Sequence, residues 1–166
     1  MKEARVHAAA AHHMDKGFLI TGGIGNGYRR LASSEITKDG VTFEDFTPLP
    51  THGLSHHCMV ALNDEDDGDF FLAGGCCSNS KRVYIHKSGK WNDMARIPTA
   101  RFGTKPSLEM ENELICLKHF IAGLMCGPVR ASPGGRVEKI VAAGGYPTTD
   151  KVEIYDITGN TWATGL

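Results

Sequence analysis

Apolar residues fall in short runs, and three of the runs end in a glycine pair: FLITGG at 18–23, FFLAGG at 70–75 and IVAAGG at 140–145. Behind each pair comes an alternating stretch and then a large aromatic: Phe43, Trp91 and Trp162, which follow the second glycine by 20, 16 and 17 residues. A strict period of two over four to eight residues, with turn residues at both ends, predicts strands rather than helices. The first two copies continue in one register, with Phe43, Phe46, Leu49 and Pro50 matching Trp91, Met94, Ile97 and Pro98. Self-similarity at this spacing is the mark of a repeat architecture.

Each unit reads as four short strands. The first is VHAAAA or HHCMVAL, the second ends in Gly-Gly, the third alternates (Val83 and Ile85, Val152 and Ile154), and the fourth carries the aromatic. Turn chemistry separates them: MDKG, NDEDDGD and SPGG before the second strand, and KDG, KSG and TGN before the fourth. A Gly pair at the end of a strand permits close backbone approach and a positive φ. The aromatic offers a large contact to a neighbouring unit.

These features resemble the kelch repeat, a family of four-stranded β-propeller blades marked by a Gly-Gly pair, a Tyr and a Trp. The matching residues are Gly22 and Gly23, Gly74 and Gly75, Gly144 and Gly145, Tyr84 and Tyr155, and Trp91 and Trp162; the first copy has Ile36 and Phe43 in place of Tyr and Trp. Tyr84 and Tyr155 each precede their Trp by seven residues, but aligning RVYI on KVEI sets Tyr84 opposite Glu153, so two alignments of the second copy are open. The resemblance implies an all-β fold of kelch-type blades. It spans the chain as one partial propeller, with units at about 4–48, 52–96 and 99–166.

Three blades are fewer than the four to eight of typical rings. The expectation is a fragment of a longer repeat array, or else a homodimer in which two copies close a six-blade ring. The third unit is longer: Pro50 precedes Gly75 by 25 residues, Pro98 precedes Gly145 by 47. The added stretch, near 104–123, carries Leu108, Leu114, Leu117 and Ile121 at a spacing that fits a short amphipathic helix or an extra strand.

Charge narrows the range of partners. With 18 basic and 19 acidic residues, nothing draws the chain as a whole to nucleic acid or to an anionic membrane. No apolar run reaches the roughly 18 residues of a membrane span, and the first apolar segment is too short and too rich in histidine for a secretory signal. A cytoplasmic location is expected, with the five cysteines, odd in number and without framework spacing, reduced.

Candidate chemistry is sparse. The sequence GGIGNG lacks the following helix of a dinucleotide loop, and Tyr28 and Arg29 stand where a phosphate loop needs Lys and a hydroxyl. His56, His57 and Cys58, the pair Cys76 and Cys77, and Cys116, His119 and Cys126 lack zinc-site spacing. The acidic run from Asn63 to Asp69 has Gly74 where a calcium loop needs Glu. No catalytic residue, metal or cofactor is expected. The resemblance implies a protein-interaction module that binds a protein partner through blade loops, as in cullin-type ubiquitin ligase adaptors or actin-binding proteins. The alternative is part of a copper oxidase propeller of the galactose oxidase type. Arg29, Arg30, Lys81, Arg82, Arg101 and Phe102 are the candidate contact residues, since they fall after Gly-Gly or at unit starts, and Arg is favoured at interface hot spots.

Overall fold

The structure, a computed structural model, describes residues 1–64, 68–76, 81–100, 124–130, 132, 135–145 and 151–165. Arg101, Phe102 and the stretch 104–123 lie outside them. Apart from one 3-10 turn at Asn26–Tyr28, the described regular structure is all β. Strands β1 (Ala9–His13), β2 (Gly17–Thr21), β3 (Ser34–Thr37) and β4 (Glu44–Phe46) form the first sheet, and β5 (His57–Asp64), β6 (Gly68–Gly74), β7 (Val83–Lys87) and β8 (Lys90–Asp93) the second. The third contains β9 (Leu124–Arg130), β10 (Val137–Gly144), β11 (Glu153–Asp156) and β12 (Thr161–Thr164). Every neighbouring pair is antiparallel, in simple meander order. Phe43 falls just before β4 rather than inside it, whereas Trp91 and Trp162 lie within β8 and β12.

Strand alternation explains how the sheets stack. On β6, Phe70 and Leu72 face the first sheet while Phe71 and Ala73 face the third, and all four are fully buried. The second sheet is therefore the filling of a three-layer stack, which is why FFLA reads as an unbroken apolar run. The sheets come closest along their first strands, β1 against β5 and β5 against β9. Small residues permit that approach: Ala9, Ala11 and Ala61 pack there, Leu19, Phe70 and Leu72 fill the middle, and Trp91 and Phe46 fill the far side. The gradient from Ala to Trp matches sheets that splay away from their first strands.

Both tryptophans lock one sheet to the sheet before it in the same way. Trp91 Nε1 donates to Thr47 O (3.2 Å) and Trp162 Nε1 to Ala95 O (2.8 Å). Each acceptor lies four residues beyond the preceding unit's aromatic, Phe43 or Trp91. Leu49 and Ile97, matched in the repeat, are 4% and 1% exposed and sit in the two inter-sheet cores.

Strand register settles the alignment of the tyrosines. Tyr84 pairs with Leu72, two residues before Gly74, whereas Tyr155 pairs with Ile140, four before Gly144. Tyr84 therefore shares its position with Glu153, and His86 is the counterpart of Tyr155. His86 pairs with Trp91, five residues on, and Tyr155 with Trp162, seven on, because the third-to-fourth strand hairpin is longer in the last sheet. Equal spacing in sequence conceals this two-residue difference.

The expectation of reduced thiols is overturned. Cys58 on β5 and Cys126 on β9 form a disulfide with Cα atoms 5.7 Å apart, and Cys76 is also disulfide-bonded. The partners are 68 residues apart. Only the side-by-side packing of two first strands brings them together, and no spacing rule reveals it.

Candidate functional site at the glycine-pair end

The glycine pairs end the second strands and turn the chain into the loops that carry the candidate contact residues. Gly22 and Gly23 have φ of 59° and 94°, and Gly74 and Gly75 have 74° and 117°. The close approach is real at Gly22, where an added Cβ would overlap the Leu54 carbonyl and lie 2.9 Å from the His57 ring. Gly144 and Gly145 repeat the conformation at 73° and 93°.

The β2–β3 loop carries two of the sequence candidates, Arg29 and Arg30, and beside them Tyr28. Tyr28 is 56% exposed and has φ of 60°, a conformation costly for a side chain with a Cβ. Arg29 beside it is exposed, and its carbonyl accepts from Gly25 N (2.9 Å), which closes the loop. Arg30 is half-buried, with its backbone close against Gly53 in the segment leading into β5. The β6–β7 loop leans on the next unit in a related way. Lys81 Nζ donates to Pro98 O (2.8 Å), while Arg82 donates to the Tyr84 hydroxyl (3.0 Å) and lies 3.9 Å from Asp93. Of the four basic candidates described, Lys81 and Arg82 thus spend hydrogen bonds on holding their own sheets. Tyr28 was not among the sequence candidates, although an aromatic between a Gly-rich run and two arginines was the available signal.

Histidines line the inner side of the same end. His7 and His56 take equivalent positions, each two residues before the residue paired with the last one ahead of Gly-Gly, and both have positive φ, 56° and 59°. Their rings stack with centroids 4.1 Å apart, and His56 N donates to His7 O (3.0 Å). Burial, then the neighbouring His7 charge, lowers the His56 pKa to about 4. His57, buried against Thr21 with Nε2 2.8 Å from Oγ1, is pushed down to about 3, by burial first and by His56 second. Neutral rings can stack where two imidazolium ions would repel.

Lead-in segments are tied down by buried carboxylates. Glu35 accepts from Lys2 N (2.6 Å), Glu3 N (3.3 Å) and the Arg5 guanidinium, and Glu153, its register counterpart, accepts from Thr99 N (3.0 Å). Burial opposes ionisation of Glu35, but the bonds from Lys2 and Arg5 outweigh it and hold its pKa below the usual carboxylate range.

A second polar group joins the first two sheets at the opposite end. His86 Nδ1 donates to Asp69 (2.8 Å), Nε2 lies 3.2 Å from Thr47 Oγ1, and Lys16 pairs with Asp69 at 2.7 Å. Asp, His and Thr in that order contain the parts of a nucleophile relay. The Thr47 hydroxyl, however, donates to Gly89 O (3.1 Å), and His86 is only 2% exposed. The group therefore acts as a buried inter-sheet tie. Among the described residues, no cluster of three or more His, Cys, Asp or Glu side chains could hold a metal ion. No helix among them is long and apolar enough to cross a membrane.

Taken together, the stacked four-stranded sheets define an all-β repeat protein whose loop end presents Tyr28 and Arg29. Set against protein-family models and curated proteins, the chain matches no family model and no curated relative.

Proposed function

We propose that the chain is an arc of kelch-type propeller blades acting as a protein-interaction module, with the β2–β3 loop at its recognition end. The supporting observation is Tyr28, an aromatic 56% exposed and held at positive φ beside the exposed Arg29. Tyr and Arg dominate interface hot spots, and a strained, exposed aromatic on a rigid sheet stack is pre-organised for contact. A loop mounted on strands loses little freedom on binding.

The test is affinity capture with the wild-type chain, identification of the bound protein by mass spectrometry, and titration of that purified partner against Tyr28→Ala and Arg29→Ala. Each substitution is expected to weaken binding by about 1 kcal/mol or more with an unchanged melting curve. Equal binding by both variants would remove this loop from the function. We also read the Cys58–Cys126 disulfide as favouring an oxidising compartment over the cytosol. That reading weighs against the intracellular adaptor roles, and labelling of free thiols in protein taken directly from its source cells tests it.

A further inference from the structure

Among the described residues, two sheet faces stand uncovered, and the repeat register identifies what each is built to meet. In the second and third sheets, the residues four and two before the glycine pair face the preceding sheet: Phe70 and Leu72, Ile140 and Ala142, all fully buried. In the first sheet the same positions are Phe18, 41% exposed, and half-buried Ile20. Beside them lie His12 and Phe43, lining a groove of about 270 Å³, and Phe43 matches the tryptophans that close the two internal junctions. The opposite face behaves in a complementary way. One and three residues before the pair, Thr21 and Leu19 in the first sheet and Ala73 and Phe71 in the second face the following sheet and are fully buried. Their counterparts in the third sheet, Ala143 and Val141, are only half-buried, next to Met125, 70% exposed, and Val129, 42% exposed.

We propose that the two faces meet across copies, the third sheet of one chain packing on the first sheet of another, so that two chains form a head-to-tail pair with two identical junctions. The continuity of the interface carries the argument: equivalent register positions meet at the first-to-second and the second-to-third junction, and extending that pattern once more sets Val141, Ala143 and Met125 against Phe18, Ile20 and Phe43. Two copies supply six sheets, within the four to eight of closed rings, whereas three supply nine. Uncovered apolar faces at both ends of a stack are unstable in water, so each copy supplies the cover its partner lacks. The inference rests on strand register and stands independently of partner binding by the β2–β3 loop.

Sedimentation equilibrium of the 166-residue chain, with circular dichroism on the same sample, tests it. The expected mass is about 36 kDa, twice 18.0 kDa. Phe18→Asp and Met125→Asp, both at exposed positions and therefore compatible with folding, are each expected to give a folded 18.0 kDa species. Mixing the two variants restores a pair, because one junction, the third sheet of the first variant on the first sheet of the second, remains intact. A folded wild-type monomer, a variant that still pairs, or a mixture that stays monomeric overturns the proposal.

Discussion

Replacing Trp91 by Ala tests the inter-sheet packing at its most demanding point. The indole is 9% exposed, packs in the core between the first two sheets, lies edge-on to His86 with ring centroids 5.2 Å apart, and bonds to Thr47 O. Truncation removes the transfer energy of a large ring and leaves a cavity where the sheets have splayed too far to collapse. The expected loss is about 3 to 5 kcal/mol, of which the hydrogen bond supplies about 1. Against a total stability of about 5 to 15 kcal/mol for an ordinary domain, that is a large share. Trp91→Phe keeps most of the buried area and should cost about 1 to 2 kcal/mol, chiefly the lost N–H and the shortfall in ring size. Urea unfolding followed by far-ultraviolet circular dichroism gives both values, provided the variants share one m-value. A cost below about 1 kcal/mol for Trp91→Ala at unchanged m, or equal costs for the two variants, would refute the reasoning.

Other positions give independent checks. Gly22→Ala should destabilise more than Gly40→Ala under thermal denaturation: both have positive φ, but the added Cβ meets the Leu54 carbonyl at Gly22 and open space at Gly40. His57 gives a signed pH effect. Its folded pKa of about 3 lies below the ordinary 6.5, so the unfolded state takes up its proton first and stability drops as pH falls from about 6.5 towards 3. The loss from this residue is on the order of 4 kcal/mol by pH 3, and His57→Gln should flatten the acid limb of a stability–pH curve; an unchanged limb would refute the assignment. The double substitution of Cys58 and Cys126 by Ala should cost about 2 to 4 kcal/mol, read by chemical denaturation under non-reducing conditions, because the bond closes a loop of 68 residues.

Sequence made the repeat legible wherever a local rule acts. Gly-Gly needs positive φ, β-strands alternate, and a matched Leu49 and Ile97 must be buried in the same way, so strand number and the repeated junction follow from letters alone. What failed to show were contacts that depend on how sheets stack. Cys58 and Cys126 meet because the first strands lie side by side, which no spacing expresses. The Tyr84 position depends on hairpin length, and the seven-residue interval to Trp91 disguised it. At the loop end, Lys81 and Arg82 read as candidate contact residues, yet Pro98 O and Asp93 engage them. Tyr28 entered the sequence reading only as a misfit to a phosphate loop, and its exposure and φ are what mark it out as a contact residue.

The central claim, that the second sheet is enclosed between the other two, is tested most directly by native-state amide hydrogen exchange resolved by residue. The amides of β6 from Phe70 to Ala73, hydrogen-bonded within a fully buried strand, are predicted to be the most protected, opening only with global unfolding, while the outer strands β4 and β12 exchange far sooner. Exchange in β6 as fast as in β12 would contradict the three-layer stack.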